Sequence, residues 1–238
     1  MNKKKREERL HAPRKTIVAT KPYAPASEQF RTIRTNIMYS SIDVPLNAVL
    51  FTSDMPGAGK STVATNMAIA YAQAGKRTLL LDGDLRRPTS HYTFEVSNQT
   101  GLSTLMINDM DWRAVIKRTA FDQLDLITSG PVPPNPSELL SSKRMETMMQ
   151  MLRDNYEMVI VDSPPLLSVT DAQILSKHTD GVILVTNVQD NNRDRILEAK
   201  ELLNKAGANI VGIILNNRHP EHALEDTFYY NQSTEEYS

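Results

Sequence analysis

The chain has 238 residues, a formal net charge of −1, an apolar fraction of 40% and no cysteine. That length supports one α/β domain with a full core and is short for two, and the composition is that of an ordinary soluble globular protein. Disulfides and thiolate metal sites are excluded. No apolar run approaches the length of a bilayer span, and the basic N-terminus lacks the apolar stretch of a secretory signal, which points to a cytoplasmic chain.

Residues 1–26 read as a flexible basic arm. Residues 1–15 carry seven Lys/Arg against two Glu, and Pro13, Pro22 and Pro25 punctuate the arm. A solvated terminus explains it more simply than a lipid or nucleic-acid contact, so no nucleic-acid partner is expected. From Ser27, a candidate N-cap, a helix runs to about Ser40, with Phe30, Ile33, Ile37 and Met38 at helical spacing. Glu28, Arg31 and Arg34 lie three apart on its other side. They form either a solvated charged face or a self-association surface in which Glu28 of one subunit meets the arginines of the next.

After Pro45 the pattern alternates between strand and helix. Strands are expected at 48–53, 78–82, 124–128, 158–162, 181–186 and 210–215, with helices at about 61–74, 137–153, 171–177 and 192–206. The strands are continuous Val/Ile/Leu runs without alternation, as in a parallel sheet covered on both faces. The fold class is therefore α/β: a doubly wound, mainly parallel sheet flanked by helices, whose ligands bind at the carboxyl ends of the strands.

The first strand leads into Asp54-Met55-Pro56-Gly57-Ala58-Gly59-Lys60-Ser61-Thr62 and then a helical pattern. Strand, glycine-bearing loop and helix in that order form a phosphate-binding loop. Gly57 and Gly59 let successive N–H groups point at one anion, and the helix adds its positive end. Pro56 to Thr62 would cradle the phosphates, with Lys60 reaching the terminal ones and the Ser61 hydroxyl ligating Mg²⁺. Asp54 stands where a standard loop has its first glycine.

Two later strands end in carboxylates: Leu79-Leu80-Leu81-Asp82-Gly83-Asp84-Leu85-Arg86-Arg87-Pro88, and Val159-Ile160-Val161-Asp162-Ser163-Pro164-Pro165. Any one of them can cap a turn. Together beside a phosphate loop they suit Mg²⁺·ATP, with Asp162 in the Walker B place and Asp82 and Asp84 sharing metal orientation and proton acceptance. Asn216, at the end of the last strand, could pair with adenine through its amide or simply close an Asx turn. Asp171 reads as an N-cap, and Ser137 as the cap of the helix after Pro131-Val132-Pro133-Pro134-Asn135-Pro136. Residues 27–218 form one domain, and 219–238 a flexible tail bearing Tyr229, Tyr230 and Tyr237. Residues 221–238 hold five acidic side chains and no Lys or Arg, and could be drawn to basic surface such as Arg86 and Arg87.

These three motifs together resemble those of the bacterial tyrosine kinases of capsule and exopolysaccharide operons, where they are Walker A, A′ and B. The resemblance extends through Thr128-Ser129-Gly130-Pro131, Asn135-Pro136-Ser137-Glu138-Leu139-Leu140 and Glu28-x-x-Arg31-x-x-Arg34 to the tyrosine-bearing tail. It implies ATP and Mg²⁺ as cofactors, with Lys60, Ser61, Asp82, Asp84 and Asp162 managing phosphate, metal and the attacking tyrosine. It also implies a ring of subunits built through Glu28, Arg31 and Arg34, with tail tyrosines phosphorylated in trans. The absence of a spanning segment resembles the form in which the kinase is a separate chain, switched on at the membrane by the cytosolic tail of a spanning adaptor. A tyrosine phosphatase and polysaccharide-synthesis proteins are the further partners implied. The rival reading is a partitioning or cell-division-site ATPase of the same fold. Those proteins usually carry a second lysine early in the loop, where this chain has Met55.

Overall fold

A computed structural model of the chain describes residues 12–41, 45–190 and 192–217. The tail tyrosines Tyr229, Tyr230 and Tyr237 lie outside the described residues. Among those residues no helix is long and apolar enough to cross a membrane.

Seven strands form one sheet: β1 (Ala48–Ser53), β2 (Thr78–Asp82), β3 (Ile116–Arg118), β4 (Leu124–Ile127), β5 (Met158–Asp162), β6 (Gly181–Asn187) and β7 (Ile210–Asn216). Their order is β3-β4-β2-β5-β1-β6-β7. All pairings are parallel except that of β3 with β4. The helices are α1 (Ile17–Thr20), α2 (Pro25–Tyr39), α3 (Lys60–Gln73), α4 (Ser90–Thr93), α5 (Leu102–Ile107), α6 (Pro136–Leu140), α7 (Lys143–Asn155), α8 (Asp171–Ser176) and α9 (Arg193–Lys205), with a 3₁₀ turn at Trp112–Val115.

Every residue of β1, β2, β4 and β5 is buried. Alternate side chains along each strand feed two cores. Ala48 and Leu50 join Val159 and Val161 in one core, under α7 and α8. Val49 and Phe51 join Ile160 and the apolar face of α3 in the other. Burial on both faces is why these strands lack polar alternation.

The structure corrects several boundaries. The arm is packed well before residue 27: Val18 of α1 is buried, its N–H donates to Asn66 Oδ1 at 3.0 Å, and Asn66 Nδ2 donates to the Lys15 carbonyl at 2.7 Å. Ser27 is not a cap. Pro25 starts α2 at its first turn, and the buried Ser27 hydroxyl donates to the Lys21 carbonyl at 2.7 Å. The single helix expected over 137–153 is two, because Ser142 caps a fresh start at Lys143 by accepting from Met145 N–H. Sequence reading missed β3, α4, α5 and the 3₁₀ turn, all of six residues or fewer.

Candidate nucleotide and phosphoryl-transfer site

The site follows from which strands are neighbours. β2, β5 and β1 lie side by side, so the register sets Asp82 beside Asp162 and Asp162 beside Phe51, two residues before Ser53 closes β1. Two strand-end carboxylates thus converge on the loop that follows β1. That loop turns through left-handed backbone at Gly57 (φ 92°) and Gly59 (φ 94°). A side chain at Gly59 would also overlap the Asn216 amide.

Lys60 is nearly buried and faces this cluster. Its Nζ lies 3.1 Å from Asp162 Oδ1 and 3.4 Å from Asp84 Oδ2, and it donates to Ser61 Oγ at 3.1 Å. Burial pulls the ammonium pKa down, but Asp162 and Asp84 together raise it above its ordinary value. Burial also raises the Asp162 carboxyl, opposed by Lys60 and by the Ser61 hydroxyl.

Asp82 and Asp84 are held differently. Asp82 Oδ2 accepts from the Ser90 hydroxyl at 2.6 Å and from the Ser90 and Thr89 N–H groups at 3.1 and 3.2 Å, while Oδ1 accepts from Asp84 N–H at 3.3 Å. Its oxygens anchor the loop between β2 and α4. Asp84 accepts from Arg86 and Arg87 N–H on one oxygen and from Lys60 on the other.

Burial, then Asp162, pushes the Asp82 carboxyl up to about 7, with the Ser90 hydroxyl acting the other way. Between the ordinary carboxylate pKa of about 4 and that raised value, the folded protein holds a proton that the unfolded chain has lost, so stability falls as pH rises. In metal-free protein with chelator, the melting midpoint is therefore expected to drop by several degrees as pH is raised through that window. Asp82→Asn should flatten the slope; a midpoint indifferent to pH in the wild type would refute the assignment.

Among the described residues no three acidic or imidazole side chains stand together as a ready metal cluster. Mg²⁺ usually takes one or two protein oxygens and completes its octahedron with water and nucleotide phosphates. Ser61, Asp84 and Asp162 offer hard oxygens beside a left-handed glycine loop. The donor set therefore fits Mg²⁺ with a nucleotide, and Asp82 fits as the loop anchor behind it.

A cavity of about 820 Å³ opens here, lined by Pro56, Gly57, Gly59, Lys60, Ser61 and Thr62 of the loop together with Asp84 and Asn216. Asn216 Nδ2 donates to the Ala58 carbonyl at 2.8 Å, so the amide props the phosphate loop as well as lining the cavity. Gly59→Ala combines positive-φ strain of about 1–2 kcal/mol with that overlap. It is expected to weaken nucleotide binding at least tenfold by calorimetry, and binding at wild-type strength would show that the loop does not need this conformation.

Other expected positions are placed differently. Asp171 is no N-cap: Thr170 precedes α8 in that role. Fully buried, Asp171 accepts from Arg86 Nε and Nη2 at 2.8 and 3.0 Å and from the Ser137 hydroxyl at 2.7 Å. Ser137 caps nothing, and Arg86 is committed to Asp171, which leaves Arg87 exposed at the cavity rim. Arg86→Ala would strand a buried carboxylate. Because the arginine is itself over a third exposed, the loss is discounted from the fully buried figure to about 2–3 kcal/mol, to be read from denaturant unfolding; an unchanged midpoint would refute it.

In the single subunit, Arg31 pairs with Glu28 and donates to the Pro22 carbonyl. Arg34 donates to the Ala70 carbonyl at 2.7 Å. Pro13, Arg14 and Lys15 line the nucleotide cavity; the basic run was visible, but nothing in its spacing indicated where the arm packs.

A family model described as an AAA domain matches residues 48–205. The chain is 41% identical over 216 residues to the tyrosine-protein kinase YwqD of Bacillus subtilis, covering 91% of each. The chain belongs to the bacterial tyrosine-kinase family. Its fold superposes on the crystal structure of the chimerical protein CapA2B2 with TM-score 0.83 and 44% identity, covering 91% of the kinase and 99% of that chain. The kinase domain of Escherichia coli tyrosine kinase ETK matches with TM-score 0.82 and 35% identity, covering 85% and 79%. MinD of Pyrococcus horikoshii, complexed with Mg-ADP, shares the fold at TM-score 0.62 and 24% identity, covering 71% and 69%. The doubly wound phosphate-loop class read from the sequence is therefore the observed one, and the kinase is an enzyme of phosphoryl transfer.

Proposed function

We propose that the protein is an ATP- and Mg²⁺-dependent autokinase that phosphorylates tyrosines of its own C-terminal tail, Tyr229, Tyr230 and Tyr237, in a neighbouring subunit. The observation that carries this reading is Lys60, nearly buried and ion-paired with Asp84 and Asp162 at the phosphate loop, in a chain whose tail bears three tyrosines. In the reaction a tyrosine oxygen forms a bond to the γ-phosphorus, the bond from that phosphorus to the β,γ-bridging oxygen breaks, and ADP leaves. The phenolic proton passes to Asp84, which lines the cavity, while Asp82 is buried behind the loop it anchors.

Bound Mg²⁺ would neutralise charge on the phosphate oxygens and orient them. Lys60 moves from its carboxylates toward the terminal phosphates as these arrive, so its ion pairs are exchanged rather than lost. Ser61, Asp84 and Asp162 would hold the metal, and Asp82 keeps the 83–90 loop in place. Positioning and charge neutralisation supply most of the acceleration.

Subunits assemble into a ring through Glu28, Arg31 and Arg34, whose present partners within one chain would be exchanged across the interface. The acidic tail is steered by Arg87 at the rim rather than by Arg86. Each phosphate adds about −1.5 to −2 charge and loosens the ring. A spanning adaptor recruits the otherwise cytoplasmic kinase to the membrane through its cytosolic tail. Phosphorylation and its reversal by a phosphatase tune capsule or exopolysaccharide synthesis.

A mixing experiment tests the trans step. Lys60→Met protein with an intact tail is combined with active protein whose three tail tyrosines are Phe, in Mg·ATP. Phosphotyrosine on the Lys60→Met partner is the expected result. Phosphate that appears only when one chain carries both the active site and the tyrosines would overturn it.

A further inference from the structure

The nucleotide cavity has a wall that no sequence motif announces. Besides the phosphate loop it is lined by Pro13, Arg14 and Lys15. This segment is tied to the P-loop helix: Asn66, fully buried on α3, donates to the Lys15 carbonyl and to the Thr62 carbonyl one turn back. It is tied also to α4, whose first residue Ser90 bonds Asp82, since Arg14 N–H donates to Thr93 Oγ1 at 2.9 Å. The backbone of Arg14 is thus fixed between the helix that begins at Lys60 and the element that follows the Asp82–Asp84 motif.

The Arg14 side chain is half-buried, and among the described residues its Nε is shut off from solvent with no hydrogen-bond partner. A guanidinium is charged at every physiological pH, and its planar fork matches the oxygens of phosphate. The Arg14 side chain lines the cavity and has no ion pair among the described residues, so its charge is available to an anion there. The ligand at hand in this cavity is a nucleotide phosphate chain.

We propose that Arg14 binds the phosphate chain of the nucleotide, so that the protein's own N-terminal arm supplies one wall of the site. This deepens the kinase reading and rests on the nucleotide occupying the phosphate-loop cavity. Arg14 acts as a binding residue for di- and triphosphates; Lys15, more exposed, adds field at the mouth.

Calorimetric titration of the full chain with Mg·ADP and Mg·ATP tests this on Arg14→Met, which keeps an apolar stem, and on Arg14→Lys, which keeps the charge. Lys60→Met serves as the control for a broken site. The expected result is roughly tenfold weaker binding in Arg14→Met, the loss of one charge-assisted hydrogen bond, with Arg14→Lys intermediate because an ammonium keeps the charge but not the planar fork, and the nucleotide-free melting midpoint unmoved in both.

Should Arg14→Met also lower that midpoint, Arg14→Gln and Arg14→Lys are compared at matched melting. Affinity that follows charge supports the assignment, and affinity that follows stability overturns it. Wild-type affinity in Arg14→Met likewise overturns it, including the case where only the KM for tail peptide rises. A wild-type protein that binds neither nucleotide would sink the kinase reading itself, which keeps the two failures apart.

Discussion

Lys60→Met is expected to abolish tail phosphorylation, lowering turnover by about 10³-fold or more, because one fixed cation on the transferring phosphoryl group is worth that much in a water-poor site. The structure adds a second, separable effect. In the nucleotide-free protein Lys60 is the cation ion-paired with Asp84 and Asp162, at 3.4 and 3.1 Å. Removing one partner of a buried pair leaves uncompensated charge, at a cost of about 3–5 kcal/mol. Here the stranded Asp162 can take up a proton, since burial already raises its carboxyl, so the loss should sit at the lower end at neutral pH and widen as pH rises. Phosphotyrosine immunoblotting reads the first effect and chemical unfolding across pH reads the second. A Lys60→Met protein as stable as wild type at pH 8 would mean that the ion pairs contribute nothing to the folded state.

Asp162→Asn is the second large effect, and its signature is metal dependence. Asp162 closes β5 next to both Asp82 and the β1 residue Phe51, and it carries Lys60 on one side with Ser61 within reach. Asparagine keeps the shape but removes the charge that a hard cation requires. Binding of nucleotide without Mg²⁺ should change little, whereas the tightening that Mg²⁺ confers should disappear and turnover should fall by about 10²–10³-fold. Titration of nucleotide with and without Mg²⁺ decides this, and an intact Mg²⁺ effect in the variant would remove Asp162 from the metal site.

The sheet was legible because its central strands are buried on both faces, a demand that writes continuous runs such as Leu79-Leu80-Leu81 into the sequence. The phosphate loop was legible because left-handed backbone at Gly57 and Gly59 restricts residue choice. Elements of a turn or two left no comparable record: β3 is three residues at a sheet edge, and α4 is four.

Local capping logic also failed where a side chain had a distant partner. Ser137 and Asp171 both looked like helix caps, yet they bond each other and Arg86 across 34 and 85 residues of separation. Asn216 was read as an adenine or turn residue, and its donation to the Ala58 carbonyl depends on β7 and the loop meeting in space. The charge and prolines of the arm read as flexible, while the short apolar run Ile17-Val18-Ala19 packs on the core that includes α3, with Val18 bonded to Asn66. Pairing over such separations is invisible to a periodicity.

Peptide mass spectrometry of the tail after incubation with Mg·ATP, with the adaptor's cytosolic segment present and Lys60→Met as control, tests the central claim most directly. Phosphate on Tyr229, Tyr230 or Tyr237 that vanishes in the control is the expected result. An unmodified tail beside measurable ATP hydrolysis would contradict the autokinase reading and favour a nucleotide switch on the same fold.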